Sequence, residues 1–87
     1  MGTKAQQAAD YQRLPGLLRI LRDEAGLTQR ELGKRLKKPQ SWVYNCETGN
    51  RRVDVAEFIA WARACNVDPQ DAFTRFLALA GRRGRSG

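Results

Sequence analysis

An all-α fold, a compact bundle of five short helices, is predicted by three observations. Apolar residues recur at intervals of three and four along most of the chain. No segment alternates apolar and polar residues with a period of two, and β-branched residues are few. N-capping residues, prolines and glycines punctuate the chain at the spacing of short helices.

The first helix is expected over roughly residues 15–25, opened by Pro15, whose missing N–H costs nothing in a first turn. Leu17, Leu18, Leu21 and Ala25 form its apolar stripe, and Gly26 suits a left-handed cap. Thr28 with Glu31 makes a capping box for a second helix over roughly 28–36, with Leu32 and Leu36 facing inward. Gly33 inside that helix is costly unless a neighbouring helix comes close. Lys37 and Lys38 form a turn, and Pro39 opens a third helix (39–48) with Val43 and Cys46 on its inner face and Gly49 after it. Asp54 caps a fourth helix carrying Phe58, Ile59, Ala62 and Cys65, with Asn66 at its end in a position that suits a left-handed backbone. Asp68, Pro69 and Asp71 open the fifth (68–80), which carries Phe73, Phe76, Leu77 and Ala80 up to Gly81.

The chain has 87 residues, enough for one small domain with a core only just large enough to fold alone. Its 41% hydrophobic and 29% charged residues are those of a globular protein. The expected division is an N-terminal arm over 1–13, flexible or partly helical, a folded domain over 14–80, and a disordered basic tail over 81–87. No apolar run approaches the roughly 20 residues of a membrane span. The opening MGTKAQQAADYQ has no apolar core for a signal peptide, so a soluble, cytoplasmic protein without membrane contact is expected. Cys46 and Cys65 fall on inner helix faces and read as small buried hydrophobes. With no histidine, no CxxC spacing and no glycine-rich phosphate loop, the sequence points away from metals, cofactors and enzymatic chemistry.

Charge is unevenly distributed. Residues 30–52 hold seven basic residues against two acidic ones, a net +5; residues 54–80 hold two against four, a net −2. The tail, with Arg82, Arg83 and Arg85, adds +3 and residues 1–29 add +1, giving +7 in all. Positive charge concentrated in one segment opposite an acidic one suits a polyanion-binding face better than a general solubility device.

The second and third helices, joined by a tight turn, form a helix-turn-helix. The run LTQRELGKRLKKPQSWVYNCETGNRR resembles the Xre/Cro/phage-repressor class of helix-turn-helix DNA-binding proteins. It carries Thr28 and Gln29 at the opening, Leu32 and Leu36, Gln40 and Val43 of the third helix, and the Glu-x-Gly exit at Glu47 and Gly49. The similarity spans about residues 14–75 and implies a lambda-repressor-like fold. It implies that Gln29 meets a DNA phosphate at a helix amino end, and that Gln40, Ser41, Tyr44 and Asn45 occupy the outward positions that meet base edges in the major groove. It also implies that Arg51 and Arg52 run beside the backbone, and that Glu47 pairs with the basic residue of the first helix, here Arg22. Two positions depart from the pattern: Lys37 stands where relatives usually have glycine, and Gly33 where they favour alanine.

Side-chain chemistry points the same way. Gln40 can pair bidentately with adenine N6 and N7, Asn45 can do the same or bond a phosphate, and Tyr44 offers a hydroxyl to phosphate and a ring to a thymine methyl. Lys37, Lys38, Arg51 and Arg52 supply a salt-sensitive, sequence-independent contribution. Trp42 reads as a packing residue at the domain edge rather than a stacking platform, with its indole N–H also available to a phosphate. Trp61 fits either core or surface, with partial burial suggested by its neighbours. Phe73, Phe76, Leu77 and Leu79 exceed what the core needs and suggest a homodimer interface as well as core closure.

The expected function is a sequence-specific transcriptional regulator, a repressor, placing helix 39–48 in the major groove of a pseudo-palindromic double-stranded DNA operator. The alternative is an adaptor or antitoxin whose helix 68–80 binds a protein partner.

Overall fold

The computed structural model describes residues 9–81, and its regular elements within that span are helices. They are α1 (Arg13–Glu24), α2 (Gln29–Leu36), α3 (Gln40–Glu47), α4 (Val55–Ala64) and α5 (Pro69–Gly81). Residues 9–11 are also helical and lead through Gln12 into α1. Helical backbone therefore already precedes Pro15, which lies within the first turn of α1. Residues 1–8 of the expected arm, and the tail beyond Gly81, lie outside the described residues.

The helix ends follow from local chemistry. In α2 the Glu31 N–H donates to Thr28 Oγ1 (3.0 Å) while the Thr28 N–H donates to Glu31 Oε1 (2.8 Å). Asp54 and Glu57 make the same reciprocal pair at α4 (2.8 and 3.0 Å). Four helices run into a left-handed residue: α1 into Gly26 (φ 74°), α2 into Lys37 (φ 59°), α3 into Gly49 (φ 83°) and α4 into Asn66 (φ 62°). After Gly26, Lys37 and Asn66 the next N–H reaches back to close the last turn: Leu27 to Arg22 O, Lys38 to Gly33 O and Val67 to Ala62 O, at 3.2, 2.9 and 2.9 Å. Lys37 thus takes the left-handed turn without being glycine, at a strain of about 1–2 kcal/mol.

The close approach expected at Gly33 comes first from the turn that leads into α3. A Cβ there would stand 2.6 Å from the Lys38 carbonyl oxygen and 3.5 Å from the Pro39 carbonyl carbon. The crowding comes from the backbone of the turn and of the amino end of α3, where Gln40 N would stand 3.6 Å away. Gly33 and left-handed Lys37 are therefore two parts of one tight connection between α2 and α3.

Leu14, Leu17, Leu18 and Leu21 of α1, Leu32 of α2, Val43 and Cys46 of α3, and Phe58, Trp61, Ala62 and Cys65 around α4 make one core. Trp61 corrects the sequence reading: it is fully buried, with Nε1 donating to Leu18 O at 3.0 Å. That bond satisfies the indole's single donor, without which burial would be costly. Leu36 and Trp42 are only partly buried, Trp42 lying against Trp61 with ring centroids 6.1 Å apart. Both thiols are free and buried, and desolvation pushes Cys65 up to about 11 and Cys46 in the same direction, as befits small hydrophobes. α5 closes the core with Ala72 and Phe76 and is tied to the end of α1 by a bidentate Arg75–Glu24 pair (2.9 Å twice).

Gly33→Ala tests the turn. In an unconstrained helix the change gains about 0.5–1 kcal/mol; here it should lower the unfolding free energy in urea by about 1–3 kcal/mol, because a backbone carbonyl must move. A neutral or stabilised variant would show that the turn yields freely.

Candidate nucleic-acid interface

α2 and α3 place their amino ends side by side, and a chain of hydrogen bonds connects them to α1. Glu47, near the end of α3, is almost wholly buried, its side chain 3% exposed. Arg22 of α1, 11% exposed, donates from Nε to Glu47 Oε2 (2.6 Å) and from Nη2 to Oε1 (2.9 Å), and from Nη1 to Leu27 O (2.9 Å). Its bond to the Glu47 carboxylate raises the guanidinium pKa further, so the charge on Arg22 is permanent.

Gln29, the first residue of α2, donates from Nε2 to Glu47 Oε1 at 3.0 Å. Gln40, the first residue of α3, donates from Nε2 to Gln29 Oε1 at 3.3 Å. The direction of this chain follows from Glu47. An ionised carboxylate only accepts, so Gln29 must turn its NH2 inward and its carbonyl towards Gln40, which must answer with an N–H. The Gln40 Oε1 and its second N–H are left for an external group, one acceptor beside one donor.

The other sequence-predicted residues fall around this pair. Ser41 and Tyr44 are exposed on α3, and neither side chain is hydrogen-bonded among the described residues. Asn45, half-buried, accepts at Oδ1 from Asn50 Nδ2 (3.4 Å). Lys37 is exposed in the turn. Lys38 Nζ lies 5.3 Å from the Trp42 ring centroid, so the half-buried Trp42 serves as a platform for a cation. Arg52 is exposed and stacks on Tyr11 at 4.0 Å, while the Tyr11 hydroxyl accepts from the Val53 N–H (2.6 Å).

Arg51 is placed differently from a simple backbone contact. Its Nη1 and Nη2 bond Glu57 Oε1 and Oε2 (3.0 and 2.9 Å), Nη1 also bonds Arg52 O (2.7 Å), and the guanidinium stands 4.9 Å from the Trp42 ring centroid. Tyr11 and Glu57 were not among the sequence candidates. Tyr11 meets a loop 42 residues away in sequence, which no local pattern announces. The Asp-x-x-Glu spacing after Val53 marks Glu57 as a capping residue but does not disclose Arg51 as its partner.

Phe73 and Leu77 of α5 are about half exposed (50% and 51%), Leu79 39%, and Phe76 is partly buried. Phe73 and Phe76 border an apolar recess of about 170 Å³ with Tyr11, Leu14, Val55 and Phe58.

Residues 13–74 match a family model described as a helix-turn-helix domain. Among solved structures, the chain is similar to an XRE-family like protein from Pseudomonas syringae pv. tomato str. DC3000: 41% identity, TM-score 0.80, covering 87% of this chain and 93% of that one. No curated protein matches the chain. The chain belongs to the Xre-like helix-turn-helix family, whose fold is that of DNA-binding regulators. No helix among the described residues is long and apolar enough to cross a membrane.

Removing the Glu47 carboxylate strands a buried guanidinium, so Glu47→Ala should cost about 3–5 kcal/mol in urea unfolding. A loss under about 1 kcal/mol would mean the pair is not buried as described. Acid should also act on the fold. Hydrogen bonds from Arg75 hold Glu24, from Thr28 hold Glu31, and from Arg51 hold Glu57 below the ordinary 4.5. A depressed folded value means that the unfolded chain binds more protons, so this stability is complete above 4.5 and lost as pH falls through the lowered values. The urea midpoint should thus stay level from neutral pH to about 5 and fall below about 4.5. For Glu57→Gln the fall should be shallower; an identical acid limb would exclude Glu57 as a contributor.

Proposed function

We propose that this protein is a sequence-specific transcriptional regulator that binds double-stranded DNA through α3, and that it acts as a repressor by occupying its operator. The observation that carries the reading is the Arg22–Glu47–Gln29–Gln40 chain, which presents an oriented donor and acceptor at the amino end of α3. Adenine offers the complementary pair in the major groove, N6–H2 as donor and N7 as acceptor, so Gln40 would read an A·T pair. Ser41, Tyr44 and Asn45 would meet neighbouring base edges or thymine methyls. Gln29, Lys37, Lys38, Trp42 and Arg52 would track the phosphates. We leave Arg51 out of that set because Glu57 holds its guanidinium.

The half-exposed Phe73 and Leu77, with Phe76 and Leu79, support a homodimer across α5. Two copies would read half-sites about 34 Å apart on a pseudo-palindromic operator. The same surface supports the second reading, an adaptor or antitoxin that binds a protein partner. Neither reading requires a cofactor, and both describe a binding protein rather than an enzyme.

Selection of bound duplexes from a random pool tests the assignment: a two-fold symmetric motif is expected. Enrichment of a single half-site would remove the dimer, and no enrichment would remove sequence-specific recognition. On the selected site, Gln40→Ala should cost about 1–3 kcal/mol and leave binding to random DNA nearly unchanged. Lys38→Ala should weaken both alike and reduce the salt slope by about one. If the two variants behave identically on both DNAs, α3 is not the reader.

A further inference from the structure

We propose that Glu57 is an internal stand-in for a DNA phosphate, which occupies Arg51 and so attenuates the sequence-independent affinity of the domain. The inference rests on the DNA-binding reading given above and concerns a residue outside the binding surface. Arg51 sits in the loop after α3, next to Arg52 and on the same flank as Lys38 and Trp42, where a cation would be expected to meet the backbone. Three of its five N–H donors are instead taken: two by the Glu57 carboxylate and one by the Arg52 carbonyl. A planar carboxylate offers the guanidinium fork the same bidentate match that a phosphate offers.

Glu57 is itself held in place. Its Oε1 also accepts the Asp54 N–H as half of the α4 capping box, so the acid is fixed by the first turn of a helix whose core residues are buried. The Arg51 N–H donates to Asn45 O (3.1 Å), and the guanidinium lies over Trp42. The pair is therefore preformed on both sides, and a phosphate would have to displace a fixed bidentate partner to recruit Arg51. Arg52 and Lys37 differ: among the described residues neither forms an ion pair with a carboxylate. Sequence-independent affinity follows the number of phosphates neutralised, so holding back one of the cations in the most basic segment lowers it without touching Gln40.

The salt dependence of binding to a labelled duplex of random sequence tests this in four full-length proteins: wild type, Arg51→Gln, Glu57→Gln and the double variant. Glutamine at 57 keeps an oxygen for the Asp54 N–H, so the α4 cap survives. The slope is also insensitive to a fixed fraction of unfolded protein. Arg51→Gln should leave the slope as in wild type. Glu57→Gln should steepen it by ~0.9, so that affinity falls ~3-fold more between about 50 and 200 mM salt than it does for wild type. The double variant should return to the wild-type slope.

A shallower slope in Arg51→Gln would show that Arg51 already meets phosphate and would overturn the proposal. So would an unchanged slope in Glu57→Gln, or a steepened slope that persists in the double variant, which would reduce Glu57 to its local field. Failure of every protein to bind the duplex at low salt would instead bring down the DNA-binding reading, and this inference with it.

Discussion

The buried carboxylate of Glu47 is the constraint on which the geometry of α1, α2 and α3 depends. A charge so far out of water is tolerated only when its lone pairs are matched by donors. Glu47 meets two from Arg22 and one from Gln29. Three helices must therefore approach one another at a fixed angle to bring those donors to one point. Arg22 adds a bond to Leu27 O, which joins the exit of α1 to the same point. A hydrophobic contact would tolerate sliding by a fraction of an ångström; a bidentate, charge-assisted pair does not.

Because the carboxylate can only accept, its influence does not end at the core. It sets which way the amide of Gln29 faces, and Gln29 in turn sets that of Gln40. An exposed glutamine commonly loses rotamer entropy on binding. Here two bonds in series hold it beforehand, from a buried ion pair to the tip of α3. The chain is continuous from core to surface: the ion pair that holds the helices also orients the Gln40 amide at the amino end of α3.

The turn between α2 and α3 imposes a second constraint. Left-handed Lys37 and the absence of a Cβ at Gly33 let the chain reverse within three residues and put a cation at the apex. On the other flank, Trp42 lies between the buried Trp61 and the cations of Lys38 and Arg51. The basic surface is held from beneath by aromatic rings and, at Arg51, by an acid. Across the molecule, α5 closes the core with only part of its apolar surface.

Much of this fold was legible in the chain because its causes are local. The capping boxes, the left-handed ends at Gly26 and Asn66, and the leucine spacing of α1 and α2 depend on residues within one or two turns of each other. The outward polar run of α3 and the concentration of positive charge were legible for the same reason. What only the tertiary structure decided involves partners far apart in sequence. Trp61 is core because Leu18 O accepts its N–H, Gly33 is required because the turn folds back on it, and Arg51 turns to an acid on the next helix. The amide directions of Gln29 and Gln40 likewise depend on Glu47, eighteen residues beyond Gln29. Sequence patterns report propensity and burial one element at a time. Hydrogen-bond direction and the pairing of charges are properties of the space between elements, and they exist only once those elements have packed.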